Sequence, residues 1–238
     1  MINRVSLEPA FVLHTMPYQE TSVILDLFIR SYGRINVIAK GAKRPKSSLK
    51  GILTPAAKLS VSLSGKNDLK TLTSAEIIDL YDLRSGSSFN ALIYINELIS
   101  KATETEDPHK KIFDEYEKVL QNISNENAKI NVEKILRNFE LILLQEMGYG
   151  IDLTRDAVSN KEIEENKIYE FHPEKGFTLT NTQVLSSNFY LGRDIKGFAA
   201  GDFEKKTTRD SSKTIMRKAI DYHLGNKQLN IRKYLSKK

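Results

Sequence analysis

Apolar positions alternate along the first third of the chain and recur at helical spacing afterwards. In Lys58–Leu63, Leu59, Val61 and Leu63 face one way and Lys58, Ser60 and Ser62 the other, which predicts a half-buried strand. Ile35, Val37 and Ala39 alternate likewise, and Ser22–Ile29 is apolar enough for a strand covered on both faces. Gly33 supplies a tight turn between these two runs. Phe11–Leu13 and Leu69–Ile77 add two more strands. Five short strands in so brief a stretch predict a small closed barrel, because closure removes exposed edges. Lys43–Lys50, with Pro45 and Ser47-Ser48, reads as a loop.

Beyond residue 81 the period changes. Ser85–Ser88 offers N-caps ahead of Phe89, Leu92, Ile93, Asn96 and Ile99, a helical stripe that ends in Thr103–Pro108. Ile112, Tyr116, Val119 and Leu120 predict a second helix. Ile130–Met147, carrying Ile135, Leu136, Phe139, Ile142 and Leu143, predicts a third that Gly148-Tyr149-Gly150 stops. Residues 151–180 read as a small irregular or β insert, with Tyr169–His172 and Phe177–Leu179 flanking a turn at Pro173–Gly176. Thr207–Leu224 and Gln228–Leu235 read as basic helices. The fold class expected is α+β: a barrel domain over 1–81 and a helical domain over 82–238 that contains the insert.

Charge sharpens this picture. Between Asp26 and Asp68 there are nine basic side chains and no acidic one: Arg30, Arg34, Lys40, Lys43, Arg44, Lys46, Lys50, Lys58 and Lys66. Residues 68–204 hold fifteen basic and twenty-five acidic groups, and residues 205–238 eleven basic against Asp210 and Asp221. A net charge of +6 therefore conceals two basic ends around an acidic middle. Such ends suit a polyanion, because each neutralised phosphate releases counterions. With no cysteine in the chain, disulfides and thiolate zinc sites are excluded. The N-terminus has no apolar run of signal-peptide length, and no run is long enough to span a bilayer, so a soluble intracellular protein is expected.

Candidate chemistry follows from charge rather than from catalytic constellations. A barrel that holds single strands combines a cationic groove with aromatic platforms. Tyr18, Phe28 and Tyr32 are the nearby aromatics; Phe28 belongs in the core, and Tyr32 at a hairpin tip is the better stacking candidate. Gly41–Ser47 has the outline of a phosphate-binding loop, but Pro45 stands where the second glycine should be and offers no amide proton. His14, His109, His172 and His223 are scattered, and the carboxylates of the middle form solvated runs, so neither a metal site nor a nuclease centre is indicated. His14 reads as an ordinary strand residue. Arg137 beside Leu136 and Phe139 could receive an acidic, apolar peptide tail, although periodicity alone makes it a surface arginine flanking the core.

The ordered set Ala10–His14, Glu20–Ser22, Gly33-Arg34, Ala39–Ala42, Leu49–Gly51, Lys70–Leu72 and Ser74–Glu76 resembles bacterial RecO proteins. The similarity continues through Tyr94–Leu98, Arg137 with Phe139–Leu141, Gly148–Gly150, Glu174–Phe177 and Gly225–Leu229, and so covers nearly the whole chain. The resemblance implies an N-terminal OB-fold, a helical C-terminal domain and a cytoplasmic, nucleoid-associated protein that is not an enzyme and needs no cofactor. It implies binding of single- and double-stranded DNA, annealing of complementary strands, and joint action with RecR in loading RecA onto DNA coated by single-strand-binding protein (SSB). It also implies capture of the acidic SSB tail in the helical domain, with Arg137 at the matching position. Some members carry a four-cysteine zinc module after the Gly-Tyr-Gly segment, which this chain lacks. On this reading Arg34, Lys40, Lys43, Arg44, Lys46 and Lys50 track one strand, and Lys213, Arg217 and Lys218 hold a second. An RNA-binding module would use the same backbone chemistry, and the residues leave that alternative open. A membrane-surface role for the C-terminal helices is disfavoured, since they lack tryptophan and a broad apolar face.

Overall fold

The structure, a computed structural model, describes residues 3–83, 85–125, 131–182, 187–225 and 227–232. The chain forms two compact units, residues 1–130 with 229–238, and residues 131–228.

The first unit contains β1 (Arg4–Tyr18), β2 (Ser22–Ile29), β3 (Gly33–Ala39), β4 (Ala57–Ser64) and β5 (Lys70–Leu80), then α1 (Gly86–Ala102) and α2 (Lys110–Ser124). The strands close into a barrel in the order β1-β2-β3-β5-β4. All pairings are antiparallel except the short β3–β5 contact at Val37–Lys70 and Ile38–Thr71. The alternating residues Leu59, Val61 and Leu63 point inward as expected, joining Val12, Leu25, Leu27 and Val37 in a closed apolar core. β1 is far longer than Phe11–Leu13. Its first half pairs with β4 and its second with β2, with register shifts between Val5 and Glu8 and between Val12 and His14. Such bulges bend a strand enough for it to serve both ends of a closing sheet.

The barrel has a second, outward core. Phe28 and Phe11, both 0 % exposed, meet Phe113 of α2 at ring distances of 5.4 and 5.0 Å, and Phe11 meets Tyr116 at 4.8 Å. Burying each of these rings stabilises the unit by roughly 1.5–3 kcal/mol. Ser85 caps α1 by accepting from the Ser88 amide (3.0 Å). Leu92, Asn96 and Ile99 are buried as the stripe predicts, whereas Phe89 is exposed. The Asn96 amide donates to the Leu13 carbonyl (3.1 Å), placed next to the β1 bulge, and accepts from the Tyr116 hydroxyl (2.7 Å).

Arg34 closes the arrangement. Its Nε and Nη2 donate to Asp26 at 2.8–3.2 Å, and its Nη1 donates to the carbonyls of Ser100 (2.6 Å) and Thr103 (2.8 Å) at the end of α1. The backbone agrees: the Glu106 amide donates to the Arg34 carbonyl (2.8 Å). Gly33 has φ +73°, and a Cβ there would stand 2.0 Å from the Asp107 carbonyl oxygen. Glycine is needed for the approach of the α1–α2 connection as much as for the turn. Lys70, 1 % exposed, adds a buried contact to the same connection through Glu106 (3.2 Å) and also donates to the Asn67 carbonyl (2.7 Å).

The second unit contains α3 (Val132–Glu146), β6 (Ile168–His172), β7 (Gly176–Thr180), β8 (Phe189–Leu191), α4 (Gly192–Ala199) and α5 (Lys206–Leu224). Ile130, the expected start of α3, lies outside the described residues, as does the end of the helix expected over Gln228–Leu235, of which Ile231 and Arg232 are helical. The expected hairpin is β6–β7, to which β8 adds a third strand in the order β7-β6-β8. β8 and α4 were not foreseen. Phe171, Phe177 and Tyr190 pack this module with ring distances of 5.0–6.4 Å. The buried carboxylate of Asp156 gathers the backbone of this module. It accepts from the amides of Val158 (3.1 Å), Ser159 (2.5 Å) and Leu179 (2.5 Å) and from the Ser159 hydroxyl (2.7 Å). Burial opposes ionisation of Asp156, but the hydrogen bonds from Ser159, Leu179 and Val158 outweigh it and hold the carboxyl below its ordinary range.

Two outcomes follow for stability. Arg34→Ala leaves a mostly buried carboxylate and two carbonyls without their donor, and should lower the unfolding free energy in urea by about 3–5 kcal/mol. Arg34→Lys should recover little of it, lacking the fork that reaches Asp26 and both carbonyls together; a loss under about 1 kcal/mol, at the level of an exposed pair, would contradict the assignment. Because the Asp156 pKa is depressed by folding, its contribution is fully present above the unfolded value near about 3.9 and is lost as pH falls through the lower folded value. Asp156→Asn should therefore lower stability at neutral pH and flatten the acid limb of the unfolding curve, read by circular dichroism against pH. An unchanged acid limb would count against that role.

Candidate nucleic-acid interface

The segment between β3 and β4 is a chain of tight turns, with amide-to-carbonyl bonds Arg44→Gly41, Ser47→Arg44 and Lys50→Ser47 at 3.1–3.2 Å. Buried Ala42 and half-buried Leu49 and Leu53 fasten it to the barrel core, and the Lys43 amide donates to the Thr21 carbonyl (2.8 Å). The apolar residues hold the loop down, and Lys40, Lys43, Arg44, Lys46 and Lys50 are all exposed. Lys43 Nζ reaches the Gln19 carbonyl (3.3 Å), and none of the five meets a carboxylate among the described residues.

Other members of the acid-free stretch are engaged. Arg34 has a single Nη2 hydrogen left after its bonds to Asp26, Ser100 and Thr103, so it is withdrawn from the strand-tracking set. Its capture was legible in principle. The register pairs Asp26 with Asn36 and Phe28 with Arg34, which makes Asp26 and Arg34 diagonal neighbours on one face. Lys58 pairs with Glu117 (2.5 Å) and Arg30 with Asp114 (2.7 and 2.9 Å), both acids lying on α2. The Arg30 hydrogen bond holds the Asp114 carboxyl below its usual range. Acids absent from the local sequence thus reach the barrel from a distant helix. Of the nine cations, Lys66 and the five of the loop are exposed and clear of carboxylates.

The aromatics also sort themselves. Phe28 is core, Tyr32 is half-buried against the barrel interior, and Tyr18 is 39 % exposed. On the second unit, Lys213 and Arg217 of α5 are exposed and have no acidic partner among the described residues. Lys218 differs: its ammonium donates to the Ser187 carbonyl and the Asn188 side chain and lies 5.6 Å from the centre of the Tyr190 ring. Burial pushes its pKa down, and it packs the module rather than a strand. Arg137 is not the surface residue that periodicity suggested. It is 8 % exposed on α3, with Nη2 donating to Glu140 (2.6 Å), and its Nε has no hydrogen-bond partner among the described residues.

Among the described residues no three His, Asp or Glu side chains are gathered as a metal site would require. No helix among them is long and apolar enough to cross a membrane.

The closed barrel with one parallel contact and a lysine- and arginine-lined loop defines the class: an OB-fold protein joined to a largely helical second part. Comparison with known proteins then gives the family. Residues 3–81 match the family described as Recombination protein O N terminal, and residues 85–232 match Recombination protein O C terminal. The chain is 40 % identical over 236 residues to the DNA repair protein RecO of Polynucleobacter asymbioticus, covering 98 % of this chain and 96 % of that one. It is 39 % identical to those of Actinobacillus succinogenes (93 % and 92 % covered) and Haemophilus influenzae (95 % and 94 %). The chain belongs to the RecO family of DNA repair proteins.

With five loop cations on one single strand, the slope of log affinity against log salt should be near −3.5. Replacing Lys43, Arg44 and Lys46 by alanine should reduce it to roughly −1.4, as read by fluorescence anisotropy of a labelled oligonucleotide. An unchanged slope would place the contacts elsewhere.

Proposed function

We propose that this protein is a non-catalytic recombination mediator: it binds single- and double-stranded DNA, anneals complementary strands, and with RecR helps RecA load onto DNA coated by SSB at the nucleoid. The observation that carries the proposal is the loop over residues 40–50, five exposed cations on an OB barrel that meet no carboxylate among the described residues. Lys40, Lys43, Arg44, Lys46 and Lys50 track the backbone of one strand. Lys213 and Arg217 give the second unit a cationic surface of its own for another. Neutralising both strands lowers their mutual repulsion, and base pairing supplies the driving force, so no nucleotide hydrolysis is required.

The SSB tail ends in acidic and apolar residues, and Arg137 is the group proposed to receive it. Its present partner is Glu140, so docking exchanges one carboxylate for another, with the unfilled Nε as a further donor.

The test is annealing of complementary oligonucleotides coated with SSB, with intact or tail-less SSB, and with matched RNA as competitor. Faster annealing that needs no nucleotide triphosphate and falls with tail-less SSB is expected; no acceleration, or a strong preference for RNA, would refute the reading. Arg137→Ala should weaken tail-peptide binding without changing affinity for naked DNA, and Glu140→Gln, which removes the internal competitor, should strengthen it. Equal loss of peptide and DNA binding in Arg137→Ala would argue against separate sites.

A further inference from the structure

The barrel closes between β3 and β5 over a short stretch. The two strands pair only at Val37–Lys70 and Ile38–Thr71, and β5 then runs on to Leu80 with β4 along one side. Among the described residues no strand pairs with the other side of β5 beyond Thr71. Ala75 is still partly buried against the barrel core, as are Leu49 and Leu53 of the loop. Past Ala75 the cover stops, and Glu76, Ile77, Ile78, Asp79 and Leu80 are all exposed. The backbone shows the same opening. The Tyr81 amide donates to the Ala56 carbonyl just before β4 (3.0 Å), so the Leu80 amide points away from β4, and it donates to the neighbouring Asp79 carboxylate (2.8 Å).

Residues opposite one another across a ladder share a face, and the register gives the two faces of this edge opposite characters. Ile77 pairs with Leu59 and Leu80 with Ala57. Leu59 and Ala57 are 0 % exposed in the barrel core, whereas Ile77 is 47 % and Leu80 59 % exposed. They are inward-facing aliphatics left in water where the barrel lacks a wall. On the other face Glu76 lies opposite Ser60 and Asp79 opposite Lys58. Lys58 gives its ammonium to Glu117 (2.5 Å), and Glu76 meets no cation among the described residues. Between Lys70 and Arg84 the sequence has no basic residue to set against Glu76, Asp79 and Asp82. Ile78, 52 % exposed, is the extra residue of a bulge between the two sets of pairs.

We propose that this edge docks an extended segment of a partner protein, which adds to β5 as a strand and carries aliphatic residues alternating with Lys or Arg. Its aliphatic side chains cover Ile77 and Leu80, and its cations face Glu76 and Asp79. Its backbone supplies the carbonyl for which the Asp79 side chain now stands in at the Leu80 amide. Strand addition draws affinity from main-chain hydrogen bonds and specificity from alternate side chains. The carboxylates choose among occupants. They repel a phosphate backbone, so this edge does not extend the cationic loop. A second copy would bring the same acids: paired antiparallel about Ile77 and Ile78, Glu76 of each copy would stand opposite Asp79 of the other, and like charges so placed are destabilising. The bulge and the charges discourage unselected strands, and a cationic strand turns those charges into attraction. This inference stands independently of the DNA-binding reading.

The probe is a capped peptide of alternating Lys and Val, its binding to the full-length protein read by fluorescence anisotropy. A Glu–Val counterpart and a fully N-methylated copy serve as controls. The Lys–Val peptide should bind roughly tenfold or more tighter than the Glu–Val peptide, and the N-methylated copy should not bind. Hydrogen exchange of the amides over 76–80 should slow when the Lys–Val peptide is bound. Glu76→Lys with Asp79→Lys should reverse the charge preference. Ile77→Ser with Leu80→Ser should weaken both peptides without reversing it and leave DNA affinity unchanged. All these positions are exposed, and circular dichroism checks that each variant is folded. No binding of any peptide, retention of the N-methylated copy, or a preference untouched by the charge-reversed variant overturns the site. Dimerisation of the intact protein that the Ile77→Ser, Leu80→Ser variant abolishes would give the edge to a second copy and overturn it likewise. Each of these outcomes leaves the DNA-binding reading standing.

Discussion

The Arg34 guanidinium is the interaction on which the first unit depends. One side chain joins β2 through Asp26 to the last turn of α1 through the carbonyls of Ser100 and Thr103. The helix end would otherwise face a polar wall with unsatisfied acceptors. Gly33, immediately before it, lets the Asp107 backbone come close enough for the connection to run along β3. α2 follows from that connection, and its Phe113 and Tyr116 cover the outward rings of the barrel. A planar fork with fixed donors is what such a junction needs, and lysine could not replace it.

This clasp also divides the cations by role. Arg30, Arg34 and Lys58 lie on or beside strands that helices approach, and each meets a carboxylate there. The loop cations are exposed and meet no carboxylate among the described residues. Its own apolar residues, Leu49 and Leu53, settle against the barrel while its charges stay in water. An exposed pair such as Arg30–Asp114 contributes little, on the order of 0–1 kcal/mol, whereas an unpaired cluster keeps its full attraction for a polyanion. The acid-free stretch in the sequence is thus partly scaffold and partly exposed charge.

Much of the fold was legible because it rests on local period. Alternation marked β3 and β4, a dense apolar run marked β2, and helical recurrence marked α1, α2 and α5. β1 was largely hidden, since bulges and two prolines interrupt its alternation over Arg4–Tyr18. β8 and α4 were missed because three strand residues and eight helical ones leave too short a pattern. The loop cations could be read from charge alone. Which other cations were withdrawn could not, because Asp114 and Glu117 are more than fifty positions away from Arg30 and Lys58 in the chain. The role of Asp156 was equally invisible, since its value lies in three backbone amides that the fold brings to it. The resemblance to RecO, drawn from ordered short motifs, held over both parts of the chain.

The division between structural and DNA-facing cations is the claim everything else presupposes, and lysine footprinting tests it directly. The protein would be acetylated with and without a saturating single-stranded oligonucleotide, and each lysine followed by mass spectrometry. Lys40, Lys43, Lys46 and Lys50 should react readily in the free protein and be protected together by DNA, with Lys58 and Lys70 slow in both states. Protection spread evenly over all lysines, or a reactive Lys58 shielded as strongly as the loop, would contradict the account.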